Sequence, residues 1–210
     1  MQQMMMIAQR IAAGGGAVTW DPATKSAPAV LSLGNVRLAT TSGTGGTYGN
    51  ARSTKAIQGL CYLSVKTNAD TTGEIQGAGI ADSTFPLGTA SRWVGDGNTS
   101  VGLWGPASVG YFNGASLSGA GGNPLYIQIA VRVGTRRVWL RGDTGSWLGG
   151  GDPVADTFPT ATLSGTGALY LVGSVDRGSA TSARWIEIAS TAGTTTGTVP
   201  TGFTAANWAP

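Results

Sequence analysis

From Val18 onward, apolar residues recur at every second position in short runs cut by glycine, and no run keeps a helical period. The clearest case is Tyr126–Val133, where Ile127, Ile129, Val131 and Val133 alternate with Tyr126, Gln128, Ala130 and Arg132. A short Gly134-Thr135 turn then leads into Arg136–Arg141, where Val138 and Leu140 alternate with Arg137, Trp139 and Arg141. Two alternating runs joined by a glycine-containing turn predict a β-hairpin. Leu60–Lys66 sets Cys61, Leu63 and Val65 on one face; Leu169–Val175 and Arg184–Ile188 repeat the pattern. Shorter strands are expected at Ala29–Leu33, Val36–Thr40, Glu74–Ala81, Val101–Trp104 and Val109–Phe112.

Ten to twelve such strands with no helix between them predict an all-β, two-sheet antiparallel sandwich of the jelly-roll kind. Its core should hold Ile127, Ile129, Val131, Leu169, Leu171, Ile186 and Ile188. Composition agrees: 35 glycines supply turns, while seven Trp, five Tyr and four Phe exclude a disordered chain despite a charged fraction of only 11%. No fixed-period repeat argues for a solenoid.

Residues 1–16 follow a different rule. Met4, Ile7, Ala8, Ile11 and Ala12 fall on one helical face, and Gly14, Gly15 and Gly16 stop the helix. So short a helix is marginal alone. It is expected to act as an anchor, helical or extended, with Met4, Met5, Met6, Ile7 and Ile11 docking on another protein or on a copy of the chain; the alternative is that it covers one end of its own sandwich. Residues 17–210 then form the sandwich domain. Residues 1–16 lack the basic start of a signal peptide. No apolar stretch reaches the length of a membrane span, so no membrane insertion is expected.

Chemistry is limited by what is missing. The chain has no histidine, which removes Ser-His-Asp and Cys-His arrangements and histidine-based zinc sites. There is no P-loop, and the dinucleotide-like start Gly43-Thr44-Gly45 leads to Tyr48 without a following helix. Cys61 is the sole cysteine and reads as a buried hydrophobe. Arg132, Arg136, Arg137 and Arg141 read as a solvated sheet face rather than a nucleic-acid footprint, at a net charge of only +3. Most of the ten acids stand in turns such as Asp21-Pro22, Asp96-Gly97 and Asp152-Pro153. No two glutamates share one strand face, the arrangement a sandwich glucanase uses. Neither an enzyme nor a cofactor or metal is expected, and a polysaccharide hydrolase is the weakest alternative.

The order of motifs resembles the SPRY-like, concanavalin-type sandwich of tailed-phage and prophage structural proteins. The resemblance runs through Val18-Thr19-Trp20-Asp21-Pro22, Gly59–Val65, Gly77-Ala78-Gly79-Ile80-Ala81 and Pro86-Leu87-Gly88. Its strongest part is Ile129-Ala130-Val131, Arg137-Val138-Trp139-Leu140-Arg141, Gly145-Ser146-Trp147 and Asp152-Pro153, and it closes on Pro200-Thr201-Gly202-Phe203 with Trp208. Arg132 and Thr144 stand where relatives carry an acid and an Asn. The resemblance implies a virion protein made in the host cytoplasm, present in many copies or as a homo-oligomer, and held to other virion proteins by residues 1–16. Two roles follow: a tail or fibre module contacting host-surface glycans, or a capsid-decoration, neck or baseplate protein with no ligand. For the first, exposed aromatics beside polar loops are the candidates: Trp93, Asp96, Asn98, Trp104, Tyr111 and Trp147.

Overall fold

The alternating runs sort onto two sheets in the computed structural model, which describes residues 17–41, 46–68, 76–89, 91–105, 109–117, 124–143, 145–176, 184–190 and 195–210. One sheet runs in the order β1 (Ala29–Ser32), β2 (Arg37–Thr40), β13 (Trp185–Ile188), β4 (Leu60–Thr67), β9 (Tyr126–Arg132), β10 (Arg137–Gly142) and β11 (Ala161–Thr162). Its eighth strand, β14 (Thr204–Ala205), lies parallel to β4; the other pairings are antiparallel. The second sheet has the order β3 (Gly49–Arg52), β12 (Leu169–Val175), β5 (Gln76–Asp82), β6 (Ser100–Gly105), β7 (Val109–Phe112) and β8 (Ala115–Ser116). Among the described residues the only helical turns are two three-residue 3-10 segments. No helix there is long and apolar enough to cross a membrane. The anchor residues Met4, Met5, Met6, Ile7 and Ile11 lie outside the described residues.

Register explains the core. Cys61, Leu63 and Val65 of β4 stand opposite Val131, Ile129 and Ile127 of β9, and Ile129 also faces Leu140 of β10. Partnered residues point to the same side of a sheet, so all of them enter the space between the sheets. There they meet Leu169, Leu171, Ile186 and Ile188 with Ile80, Val101 and Leu103. The seven expected core residues all take part. Each such side chain stabilises the fold by about 1.5–3 kcal/mol.

Two expectations need correction. The β9–β10 connection is not a bare Gly134-Thr135 turn. Val133–Thr135 makes one 3-10 turn, and Arg136 follows at φ +56° rather than starting the strand. Arg136 therefore leaves the sheet face and reaches Asp82, while Arg132 and Arg137 do stay on that face, flanking Asp156. The outer face of this sheet is covered as well as the inner one. Tyr62, Ala130 and Trp139 alternate away from the core, yet they are buried with Phe203 under the segment that precedes β14.

Candidate functional site

The outer face of the six-stranded sheet carries an aromatic recess. On β6, Val101 and Leu103 enter the core, so Gly102 and Trp104 point outward. Trp104 lies beside Gly77 of β5 in register, and a Cβ on Gly77 would sit 2.5 Å from its Cδ2. Glycine there lets the indole lie flat on the sheet. Trp104 is only 3% exposed and forms the floor.

The loop from Ser83 to Thr99 folds over this floor and is tied down at several points. Phe85, Leu87 and Val94 bury themselves against Ala81, Val172 and Trp104. Trp104 Nε1 donates to the Val94 carbonyl at 2.9 Å, and the Val94 amide donates to Ser174 Oγ at 2.9 Å. Asn50 Nδ2 holds the Arg92 carbonyl at 2.7 Å. Gly95, at φ +102°, passes so close to β7 that a Cβ would lie 2.7 Å from the Tyr111 carbonyl oxygen. These constraints place Trp93 over the sheet.

Four rings then line a recess of about 120 Å³: Tyr48, Trp93, Trp104 and Tyr111. They meet edge to face. Trp93 and Tyr111 are 4.8 Å apart at 89°, Trp93 and Trp104 5.3 Å at 78°, and Tyr48 and Trp104 5.8 Å at 71°. Such pairs hold each other in orientation, each contributing about 0.5–1.5 kcal/mol beyond burial. Small-molecule pockets usually measure roughly 300–1,000 Å³, so this one admits a single compact group.

Charge sits at its margin. Arg92 and Asp96 pair at 3.0 Å across one turn of the covering loop. Asp176 Oδ2 accepts the Gly46 amide at 2.8 Å. Burial first, and then the charges of Asp176 and Asp96, push the Tyr48 phenol above its ordinary pKa.

Of the six residues singled out from the sequence, Trp93, Trp104 and Tyr111 line one recess and Asp96 stands near it. Asn98 does not line the recess, and its carbonyl bonds the amide and hydroxyl of Ser164 instead. Trp147 belongs elsewhere: it packs with Tyr62, Trp139 and Phe203 on the outer face of the other sheet, under the Arg141 guanidinium at 4.3 Å. A platform joining Trp93 and Trp147 is therefore not formed. Tyr48 was missed. It follows a glycine-rich stretch and precedes a four-residue strand, so neither period nor length marked it.

Chemically the recess offers aromatic faces and no nucleophile. Every described carboxylate is engaged. Asp21, Asp143, Asp152 and Asp176 accept backbone amides, and Asp82, Asp96, Asp156 and Glu187 pair with arginines. Among the described residues no three His, Cys, Asp or Glu side chains cluster to hold a metal. A second hollow, about 280 Å³, lies between Leu117, Leu148, Gly149 and the Phe158–Thr160 turn.

No family model matches the chain, and no curated protein does. Solved structures do. The TRIM65 PSpry domain is 15% identical with a TM-score of 0.58, over 87% of this chain and 94% of that one. The SPRY domain of human HERC1 is 14% identical with a TM-score of 0.53, over 80% and 96%. Stonustoxin is 15% identical with a TM-score of 0.57 over 82% of this chain, which spans only 27% of that protein. At such identities the likeness is one of fold. The chain has a SPRY-like, jelly-roll sandwich.

Proposed function

We propose that the chain is a non-enzymatic attachment module of a tailed-phage particle, whose aromatic recess contacts host-surface glycans. The recess of Tyr48, Trp93, Trp104 and Tyr111 carries this reading: four rings held on a rigid sheet by a pinned loop, two of their hydroxyls at hand, and no catalytic group beside them. Binding sites built on rigid elements lose little entropy on engagement. The phage setting is supported by the order of sequence motifs from Trp20 to Trp208. Within it, residues 1–16 are the segment that holds the domain to neighbouring virion proteins, and many copies act together.

Attachment of labelled protein to host cells tests the reading. Trp93→Ala and Tyr111→Ala should each lower cell binding about ten-fold, while Trp147→Ala, on the opposite outer face, should leave it unchanged. Full binding by the Trp93→Ala/Tyr111→Ala double variant would remove the recess from the attachment function.

A capsid-decoration or baseplate role without ligand is the second reading. One observation favours it: Phe158, 72% exposed, lines the hollow at Leu117 and Leu148. An exposed apolar patch is one mark of a protein-contact surface.

A further inference from the structure

The shape of the recess narrows what it recognises. A flat sugar ring is matched by one exposed aromatic plane with hydrogen-bonding groups at its edge. Here the three ring pairs stand at 71°, 78° and 89°. Rings at near right angles enclose a rounded group from several sides rather than offering a table for a flat one. The polar groups of the supporting loop are already engaged with one another: Asn50 Nδ2 on the Arg92 carbonyl, Ser174 Oγ on the Val94 amide, Ser100 Oγ on the Gly95 amide and Trp104 Nε1 on the Val94 carbonyl. The recess itself is lined by four aromatic rings, and the one unpartnered buried atom among these groups is Asn50 Oδ1.

Carboxylates stand at the margin: Asp176 and Asp96 both act on Tyr48, and Asp96 also pairs with Arg92 at 3.0 Å. Among the described residues no lysine or arginine lines the recess. Aromatic faces attract cations through the ring quadrupole, and a quaternary ammonium group, which has no hydrogen to donate and a methyl-covered surface, gains most from such a site. Its size also suits about 120 Å³, where a disaccharide would not fit.

We infer that the recess of Tyr48, Trp93, Trp104 and Tyr111 is an aromatic cage for a quaternary-ammonium group, such as the choline substituent of a surface polymer. This rests on reading the recess as the attachment site and specifies what that site reads: a cationic substituent, not the hydroxyls of a sugar ring.

Calorimetric titration of the full chain tests it with three probes: choline, its uncharged carbon isostere 3,3-dimethylbutan-1-ol, and methyl glucoside. Choline should bind at least ten-fold more tightly than the isostere. Trp93→Leu and Tyr48→Leu, which keep apolar bulk, should each weaken choline about ten-fold. Folding is checked by an unchanged denaturation midpoint, and the probe series on the unaltered chain needs no variant. Equal binding of choline and its isostere, or no choline binding, overturns the inference. Methyl glucoside bound while choline is ignored overturns it too, yet leaves glycan attachment standing. Choline bound by a protein that attaches to no cells leaves the cage standing and removes the attachment function. A phosphocholine-bearing polysaccharide and phosphatidylcholine vesicles, run in parallel, distinguish the two sources of the same group.

Discussion

Arg136 Nη2 lies 2.6 Å from Asp82 Oδ2, and that contact joins the two sheets at one end of the sandwich. Arg136 stands between β9 and β10 of one sheet; Asp82 ends β5 of the other. The same guanidinium donates to the carbonyls of Gly167 at 2.8 Å and Ser164 at 3.0 Å, so the clamp also gathers the turn between β11 and β12. Removing one partner of a buried pair leaves the other uncompensated, which costs about 3–5 kcal/mol. Since Arg136 keeps some solvent contact, Arg136→Met should destabilise the domain by about 3 kcal/mol in urea denaturation. A loss under about 1 kcal/mol would mean that the clamp is ornamental.

Acid should loosen the same end. Burial raises the Asp82 pKa, but the hydrogen bonds from Thr84 and the Arg136 guanidinium outweigh it and hold the carboxyl below its ordinary value. A group lowered in the folded state binds fewer protons than in the unfolded one. Its stabilisation is thus complete above the unfolded value of about 3.9 and is lost as pH falls through the lower folded value. Thermal midpoints taken from pH 6 down to pH 2 should fall more steeply for the native chain than for Asp82→Asn. Parallel curves would place the acid sensitivity elsewhere.

Gly77 and Gly134 make an opposed pair. A side chain at Gly77 enters the space of the Trp104 indole, 2.5 Å from its Cδ2, whereas one at Gly134 meets nothing within 4 Å. Gly77→Val should cost about 1–3 kcal/mol and tilt Trp104, visible as a changed near-ultraviolet circular dichroism spectrum and weakened ligand binding. Gly134→Ala should be neutral or slightly stabilising. If the Gly77 variant keeps the native spectrum, the indole does not lie flat on β5.

Cys61 should be chemically silent in the folded protein. Its thiol is fully buried, and burial pushes its pKa up to about 12, only partly offset by the Asn207 amide that donates to Sγ at 3.2 Å. Thiolate is the reactive form. A disulfide reagent at pH 8 should therefore react at the rate of unfolding, rising with urea. Rapid labelling in native buffer would require the residues around Asn207 to detach readily.

How far the sequence spoke depended on strand length and on which side was asked about. β9, β10 and β12 were legible because six or seven alternating residues fix both a strand and its inward face. β8, β11 and β14 were not, being two residues each, too short for any period to show. Alternation placed Trp104 outward but could not tell which sheet's outer face it shared with Trp93 or Trp147, since period two reports inside against outside and nothing more. The same limit hid the covering of β5, a strand expected at Glu74–Ala81: its seven residues are all buried because the Trp93 loop covers the face that alternation would leave wet. Arg136 escaped notice because its role follows from a positive φ in a turn, not from the strand pattern beside it.

β14 pairs in parallel with Cys61 and Tyr62, on the edge of β4 that β13 takes up at Val65–Thr67, and Trp208 bridges to Ile57. A ribosome makes these partners long after β4. Asn207 meets Cys61 across 146 residues of sequence, so a nascent chain must hold β4 half paired until that stretch emerges. Until then the outer face around Tyr62 and Trp139 is uncovered and open to association with its neighbours.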